Sequence, residues 1–171
     1  MKENEIAMEE TSLAWQCKRV MYLAFKRVFD IICSLVGIMF LVPLLALIKI
    51  AYLCTGDFKS VLYSQERIGK NGKIFRLHKF RTMVVDADEI LEKLLKENPD
   101  MRREYKENKK LKNDPRITKV GKFLRKFSLD ELPQFINVFL GEMSLIGNRP
   151  YLPREKKDMG KYYADIVKTK P

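Results

Sequence analysis

Residues 31–48 read IICSLVGIMFLVPLLALI, about eighteen consecutive positions without a charge. At that length a membrane-inserted helix is the ordinary reading. Three arrangements fit it: a spanning helix kinked at Pro43, a helix that enters and returns on the same side, and an apolar helix buried in a soluble core. Basic residues stand on both flanks, Lys18, Arg19, Lys26 and Arg27 before it and Lys49, Lys59 and Arg67 after it. Positive residues near membrane ends favour the cytoplasmic side, so a single crossing would strand one group. Pro43 has no N–H for the carbonyl of Met39, and its ring crowds that turn, which predicts a bend or break. The piece from Phe29 to Val42 would reach about 21 Å, short of a hydrocarbon core of about 30 Å. These features favour a re-entrant membrane helix over 26–54, broken at Pro43, with both ends in the cytoplasm.

Asp30 lies at the apolar boundary, where a carboxylate is costly unless paired, and Lys26 or Arg27 is within one helical turn of it. Upstream, LAWQCKRVMYLAFKRVF mixes aromatic, aliphatic and basic residues as a helix in the headgroup layer does. Residues 1–25 are therefore read as an N-terminal interfacial segment over anionic lipids of the inner leaflet. The opening MKENEIAMEETSLAWQ carries acids and no apolar core, unlike a secretory signal.

The chain has 171 residues, a formal net charge of +11 and a hydrophobic share of 46%. That share excludes a wholly disordered chain, and the charge calls for an anionic partner: nucleic acid, an acidic membrane face or a phosphorylated substrate. No zinc-finger, helix-turn-helix or aromatic-platform pattern supports nucleic acid. Cys17, Cys33 and Cys54 are odd in number and far apart, which fits a reducing compartment better than a disulfide or zinc framework.

Residues 55–171 read as a small cytoplasmic domain of mixed α/β (α+β) type. SVLYSQERIG and IFRLHKFRTM have strand character, and KNGK between them offers a turn at Asn71 and Gly72, which predicts a basic β-hairpin. DADEILEKLLKENPDMRREYKENKK follows with helical spacing and an interruption near Pro99. Its charge run reads as a solvated face or as a surface for anionic headgroups. Asp114-Pro115 signals a turn, and Gly121 a break before a further basic amphipathic stretch.

Within SLDELPQFINVFLGEMSLIGNRP, Asp130 and Glu131 are adjacent. One reading is a capping box, since Ser128 and Glu131 stand three apart and Pro133 suits a first helical turn. The other is a reaction centre, because a helix start favours anions and keeps a carboxylate ionised. An ionised Asp can attack phosphorus, and a neighbouring Glu can hold Mg²⁺ together with substrate phosphates. Arg149, Arg116 and Arg81 are candidates to grip phosphate in two-pronged fashion. His78 is the only histidine, so general acid–base chemistry is left to carboxylates, lysine or water.

FKRVFD, Pro43, SQERIGKNGKIFRLHKFRTM, the block from Asp114 to Pro150 and the terminal KTKP occur in an order that resembles the bacterial sugar transferases, the monotopic polyprenyl-phosphate phosphoglycosyl transferases. The resemblance implies a re-entrant helix with a catalytic domain on amphipathic interfacial helices, at the cytoplasmic face of the bacterial inner membrane. It implies transfer of sugar-1-phosphate from a UDP-sugar to undecaprenyl phosphate with release of UMP, initiating exopolysaccharide, capsule or O-antigen synthesis. Asp130 would be the nucleophile of a covalent intermediate, Glu131 the Mg²⁺ ligand, Arg149 a phosphate ligand, and Lys26, Arg27 and Asp30 the membrane anchor. Two departures stand out: Asn148 occupies a position usually held by proline, and related chains continue beyond KTKP. The rival expectation is a truncated, catalytically inactive interaction module of the same family. The sequence is silent on the sugar and leaves a homo-oligomer open.

Overall fold

A computed structural model describes the backbone of residues 2–108 and 110–171, with side chains from Trp15 onward apart from Lys109. The part of the interfacial segment over residues 1–14 therefore lies outside the described side chains. Helix α1 runs from Lys2 to Cys54 and passes through Pro43 without interruption. The helical pattern thus continues where a break at proline was expected. An apolar helix tolerates the single missing hydrogen bond, because the bonds on either side hold the turn.

The stretch Trp15–Cys54 is long and apolar enough to cross a membrane. Many of its large side chains point outward, Phe25, Met39 and Phe40 each being more than 70% exposed, while Leu41, Ile48 and Tyr52 are buried. Exposed apolar surface of that extent argues against a helix buried in a soluble core, since it needs a covering medium. Membrane association follows. Gly56, at φ 76°, ends the helix. The amides of Gly56 and Asp57 return to the carbonyls of Leu53 and Tyr52, the paired bonds of a Schellman stop.

The remaining elements are β1 (Leu62–Ile68), β2 (Ile74–Phe80), α2 (Ala87–Glu97), α3 (Pro99–Asn108), α4 (Lys119–Lys126), α5 (Gln134–Leu140), α6 (Lys156–Met159) and α7 (Tyr163–Ile166). The two strands form one antiparallel hairpin. Its turn places Asn71 and Gly72 at positive φ, as the Asn-Gly pair predicts. Pro99 starts α3, and Asn98 Oδ1 caps it by accepting from the amides of Asp100 and Met101.

Contacts gather into two compact units. The first comprises Met1–Ile38, Arg67–Phe75 and Phe135–Pro171; the second comprises Met39–Glu66 and Arg76–Gln134. In the first, Phe135 of α5 seats its ring on α1 at Gly37, where a Cβ would lie 2.6 Å from ring carbons. Ser34, one turn earlier, is fully buried. The tip of the hairpin joins this unit by the antiparallel bridge of Ile68 to Tyr151 and the bond from Asn71 N to Val167 O.

In the second unit Tyr52, Leu77, Phe80 and Leu124 form the centre of the core. Each such side chain contributes about 1.5–3 kcal/mol by burial. Gly121, expected to break the chain, instead lies inside α4. A Cβ there would come 2.0 Å from the carbonyl oxygen of Thr82, so glycine is required by close backbone packing rather than by a turn. Thr118 caps this helix by accepting from Gly121 N at 2.9 Å.

Candidate active site

Asp130 and Glu131 sit on a single 3₁₀ turn, Leu129–Glu131, between α4 and α5. The capping box does not form. Ser128 adopts the left-handed conformation (φ 55°) and makes no side-chain cap. Only its carbonyl meets Glu131 N, at 3.3 Å. A serine in that region costs about 1–3 kcal/mol, and strain of this kind gathers at functional sites. Glu131 turns instead to Lys79 of β2, whose Nζ donates to Oε1 at 2.7 Å. Burial pushes the Asp130 carboxyl above its usual range; the Lys79 charge opposes this and the neighbouring Glu131 adds to it. An acidic pair thus shares a positive setting with Lys79 and Arg125.

The other arginines named from the sequence are differently employed. Arg81 is buried and grips Asp57 through both terminal nitrogens, at 2.9 and 3.0 Å. It also donates to the carbonyls of Ser60 and Met83. Its guanidinium covers the ring of Tyr52, whose hydroxyl donates to the Arg81 carbonyl. Arg116 grips Asp114 in the same two-pronged way and donates to Ala87 O. Hydrogen bonds from Arg81 hold the Asp57 carboxyl below its ordinary value. Burial pushes Asp114 up, but the Arg116 bonds outweigh it and hold that carboxyl low as well. Both guanidiniums are held against framework carboxylates, Asp57 and Asp114.

Arg149 belongs to the first unit. It is 71% exposed, rests over Tyr151 and reaches Glu155 at the limit of an ion pair, 4.0 Å. Asn148 ties its loop to the tail by donating to Ile166 O and Thr169 Oγ1. A small cavity here is bordered by Ile68, Tyr151 and Val167 as well as Asn148 and Arg149.

Lys26, Arg27 and Asp30 clamp α1 to the loop after α5. Lys26 donates to Ser144 Oγ and Ile146 O, both at 2.6 Å. Arg27 donates to Val138 O and Phe139 O in the last turn of α5, where its charge suits the helix dipole; Val138 O also accepts from Gly141 N. Asp30 is buried and accepts from Leu145 N at 3.1 Å. Its partner is a backbone amide over a hundred positions away, in place of the neighbouring lysine or arginine expected, because both cations reach past it to the loop.

Lys79 and Asp57 are the side chains that sequence reading passed over. Lys79 had a faint signal, a lysine inside a strand otherwise rich in buried residues; Asp57 had none. His78 makes a cross-strand bond to Ser64 Oγ at 2.9 Å. Among the described residues no group of three or more His, Cys, Asp and Glu side chains could hold a metal unaided. The acidic pair does fit a Mg²⁺ that takes one or two carboxylates and completes its shell with substrate phosphate and water. Glu131 is more than half exposed, with only one of its oxygens bound to Lys79.

A family model described as bacterial sugar transferase matches residues 21–171. The chain is 48% identical over 130 residues to the undecaprenyl-phosphate galactose phosphotransferase of Salmonella typhimurium, covering 76% of this chain and 27% of that protein. It is 45% identical to the UDP-galactose-lipid carrier transferase of Erwinia amylovora, covering 82% and 28%. It is 47% identical to the exopolysaccharide production protein ExoY of Rhizobium meliloti, covering 76% and 57%. The chain thus spans between about a quarter and three fifths of the length of these curated relatives. With a match over most of its residues, the chain belongs to the bacterial sugar transferase family.

Proposed function

We propose that this chain transfers a sugar-1-phosphate from a UDP-sugar to undecaprenyl phosphate, the first membrane step of an exopolysaccharide, capsule or O-antigen. The observation that carries this reading is the Asp130–Glu131 pair on a strained turn, with Lys79 and Arg125 supplying positive charge around it. The names of the relatives point to the same substrates. Asp130 attacks the phosphorus that bears the sugar. A carboxylate oxygen–phosphorus bond forms as the bridging phosphorus–oxygen bond breaks, and UMP departs with that electron pair. A phosphate oxygen of the lipid acceptor then attacks the same phosphorus, and the Asp130 carboxylate leaves. The product is a lipid-linked diphosphosugar.

Glu131 would hold Mg²⁺, which when bound neutralises charge on the donor phosphates. Lys79 balances Glu131 in the resting site and lowers the cost of ionising Asp130. Arg149 keeps an exposed guanidinium available to a phosphate group. Arg81 and Arg116 act as framework, through their carboxylate partners.

Transfer is tested with the detergent-solubilised chain, labelled UDP-sugars, undecaprenyl phosphate and Mg²⁺. UMP release and a labelled lipid product are expected, and Asp130→Asn should lower transfer by roughly 10³-fold or more. Full transfer by that variant removes Asp130 from the role. No product with any donor favours the inactive interaction module.

The topology proposed is re-entrant, with both helix ends cytoplasmic; it rests on the basic residues on both flanks and requires α1, helical through Pro43, to bend sharply there in the membrane. Cys17 and Cys54 are exposed, free and on either side of the apolar stretch. A membrane-impermeant thiol reagent should label both from the cytoplasmic face. Labelling of the two from opposite faces would establish a crossing.

A further inference from the structure

Phe58 is 75% exposed, yet the backbone that carries it is held at every residue from Gly56 to Ser60. Gly56 and Asp57 return their amides to α1 in the helix stop. Asp57 is gripped by Arg81 and accepts from Lys59 N at 3.0 Å. Arg81 Nε donates to Ser60 O at 2.6 Å. Lys49 Nζ donates to Phe58 O at 3.2 Å and to Lys59 O at 3.1 Å. One exposed phenylalanine is ordinary on a protein surface. What sets this one apart is its rigid mount and its level along α1.

Lys49 is the first charged residue after the uncharged run 31–48, so it marks where α1 leaves the apolar medium. Its bonds to the carbonyls of Phe58 and Lys59 bring the loop back along the helix to that level. Leu47, Ile50 and Leu53, spaced by three, form an exposed stripe beside Lys49, and Leu53 lies one turn beyond it. Phe58 thus stands at the end of the apolar face that α1 turns to the membrane. The Lys59 side chain is exposed as well, so two ammonium groups accompany the ring. An aromatic ring with lysines at the end of an apolar helix is the composition favoured at headgroup level, where the ring meets the acyl boundary and the ammonium reaches the polar side.

We propose that the loop from Asp57 to Ser60 is a lipid-interface anchor, with Phe58 inserted between headgroups and acyl chains. The occupant is lipid because the loop continues the surface by which α1 meets the membrane, and because its one acidic side chain, Asp57, is turned to Arg81 while its lysines remain outward. The anchor holds whether α1 returns or crosses, since either course leaves Lys49 at a boundary. It rests on membrane association and is independent of the transferase reading. It also bears on the acidic turn within the same unit. Arg81, which closes the loop, follows Lys79 by two positions on the chain, and Lys79 bonds to Glu131, so the loop ties that turn to the lipid boundary.

The test places the whole chain, with Phe58→Trp in a Trp15→Phe background, in nanodiscs whose phosphatidylcholine carries bromine at one chosen depth. Trp15 is the only tryptophan of the chain, so emission then reports position 58 alone. Both positions are exposed, and the substitutions leave the core intact. The anchor predicts loss of emission to bromine, greatest when the bromines lie nearest the headgroups. Loss that is greatest with bromines near the acyl ends would put the ring in the bilayer interior and overturn the anchor. Emission untouched by bromine at every depth overturns it as well, and aqueous iodide then identifies the occupant: quenching means water, and protection means a protein cover such as a second copy. No donor, acceptor or turnover enters this readout, so a chain that transfers nothing leaves the anchor standing, and a chain that transfers without this quenching loses the anchor alone.

Discussion

Within one compact unit the same residue types are used in opposite ways. Asp57 and Asp114 are each locked by an arginine through two parallel bonds, and both carboxyls are held below their ordinary value. Asp130 has no such lock: burial raises it, its neighbour is another acid, and the turn beneath it contains a strained serine. Satisfied charge marks the framework, and charge left partly unsatisfied marks the reaction site. Natural proteins accept such local cost where chemistry requires it.

The largest expected effects lie in the framework. Arg116→Ala leaves Asp114 buried and unpaired and should lower stability by about 3–5 kcal/mol, seen by thermal denaturation in detergent. A loss under 1 kcal/mol would mean that the pair is solvated and the contrast false. Gly121→Ala should cost about 3 kcal/mol, since the added methyl meets the Thr82 carbonyl backbone. An unchanged melting temperature there would show that α4 is free to move away.

Two smaller effects sharpen the comparison by sign. For Asp130 the folded carboxyl lies above the unfolded reference of 3.8, so the native state binds more protons and stability falls as pH rises from 3.8 through the folded value. Asp130→Asn should therefore melt slightly higher than the parent at neutral pH, with the gain vanishing below 3.8. Asp57 and Asp114 run the other way: their contribution is present above 3.8 and is lost as pH falls through their depressed values. The smallest change in stability belongs to Lys79→Met, within about 0.5 kcal/mol, because the Glu131 pair is largely solvated. Its signature lies in activity. Without Lys79 the acidic limb of the pH–rate profile should move to higher pH, since a positive neighbour of Asp130 has been removed.

Local signals in the chain were sufficient for the hairpin with its Asn-Gly turn, the interruption at Pro99 and the acidic pair. Each depends on residues a few positions apart. What escaped depends on distance. Lys79 meets Glu131 across 52 positions, and Arg27 caps a helix 111 positions away; neither spacing has a local pattern. Gly121 was misread because a glycine needed for close packing is written with the same letter as one needed for a turn. Ser128 was misread for a related reason: its spacing to Glu131 suits a cap, yet its backbone conformation forbids one. Arg81 and Arg116 looked like phosphate ligands because a guanidinium that grips a carboxylate has the same chemistry as one that grips phosphate.

Whether Asp130 carries the phosphosugar is decided by intact-protein mass spectrometry of the chain given a UDP-sugar and Mg²⁺ without acceptor. The expected result is a mass increase equal to the phosphosugar, mapped by peptide analysis to Asp130, released when lipid phosphate is added, and absent from Asp130→Asn. An adduct that persists in that variant, or that maps to any other side chain, would contradict it.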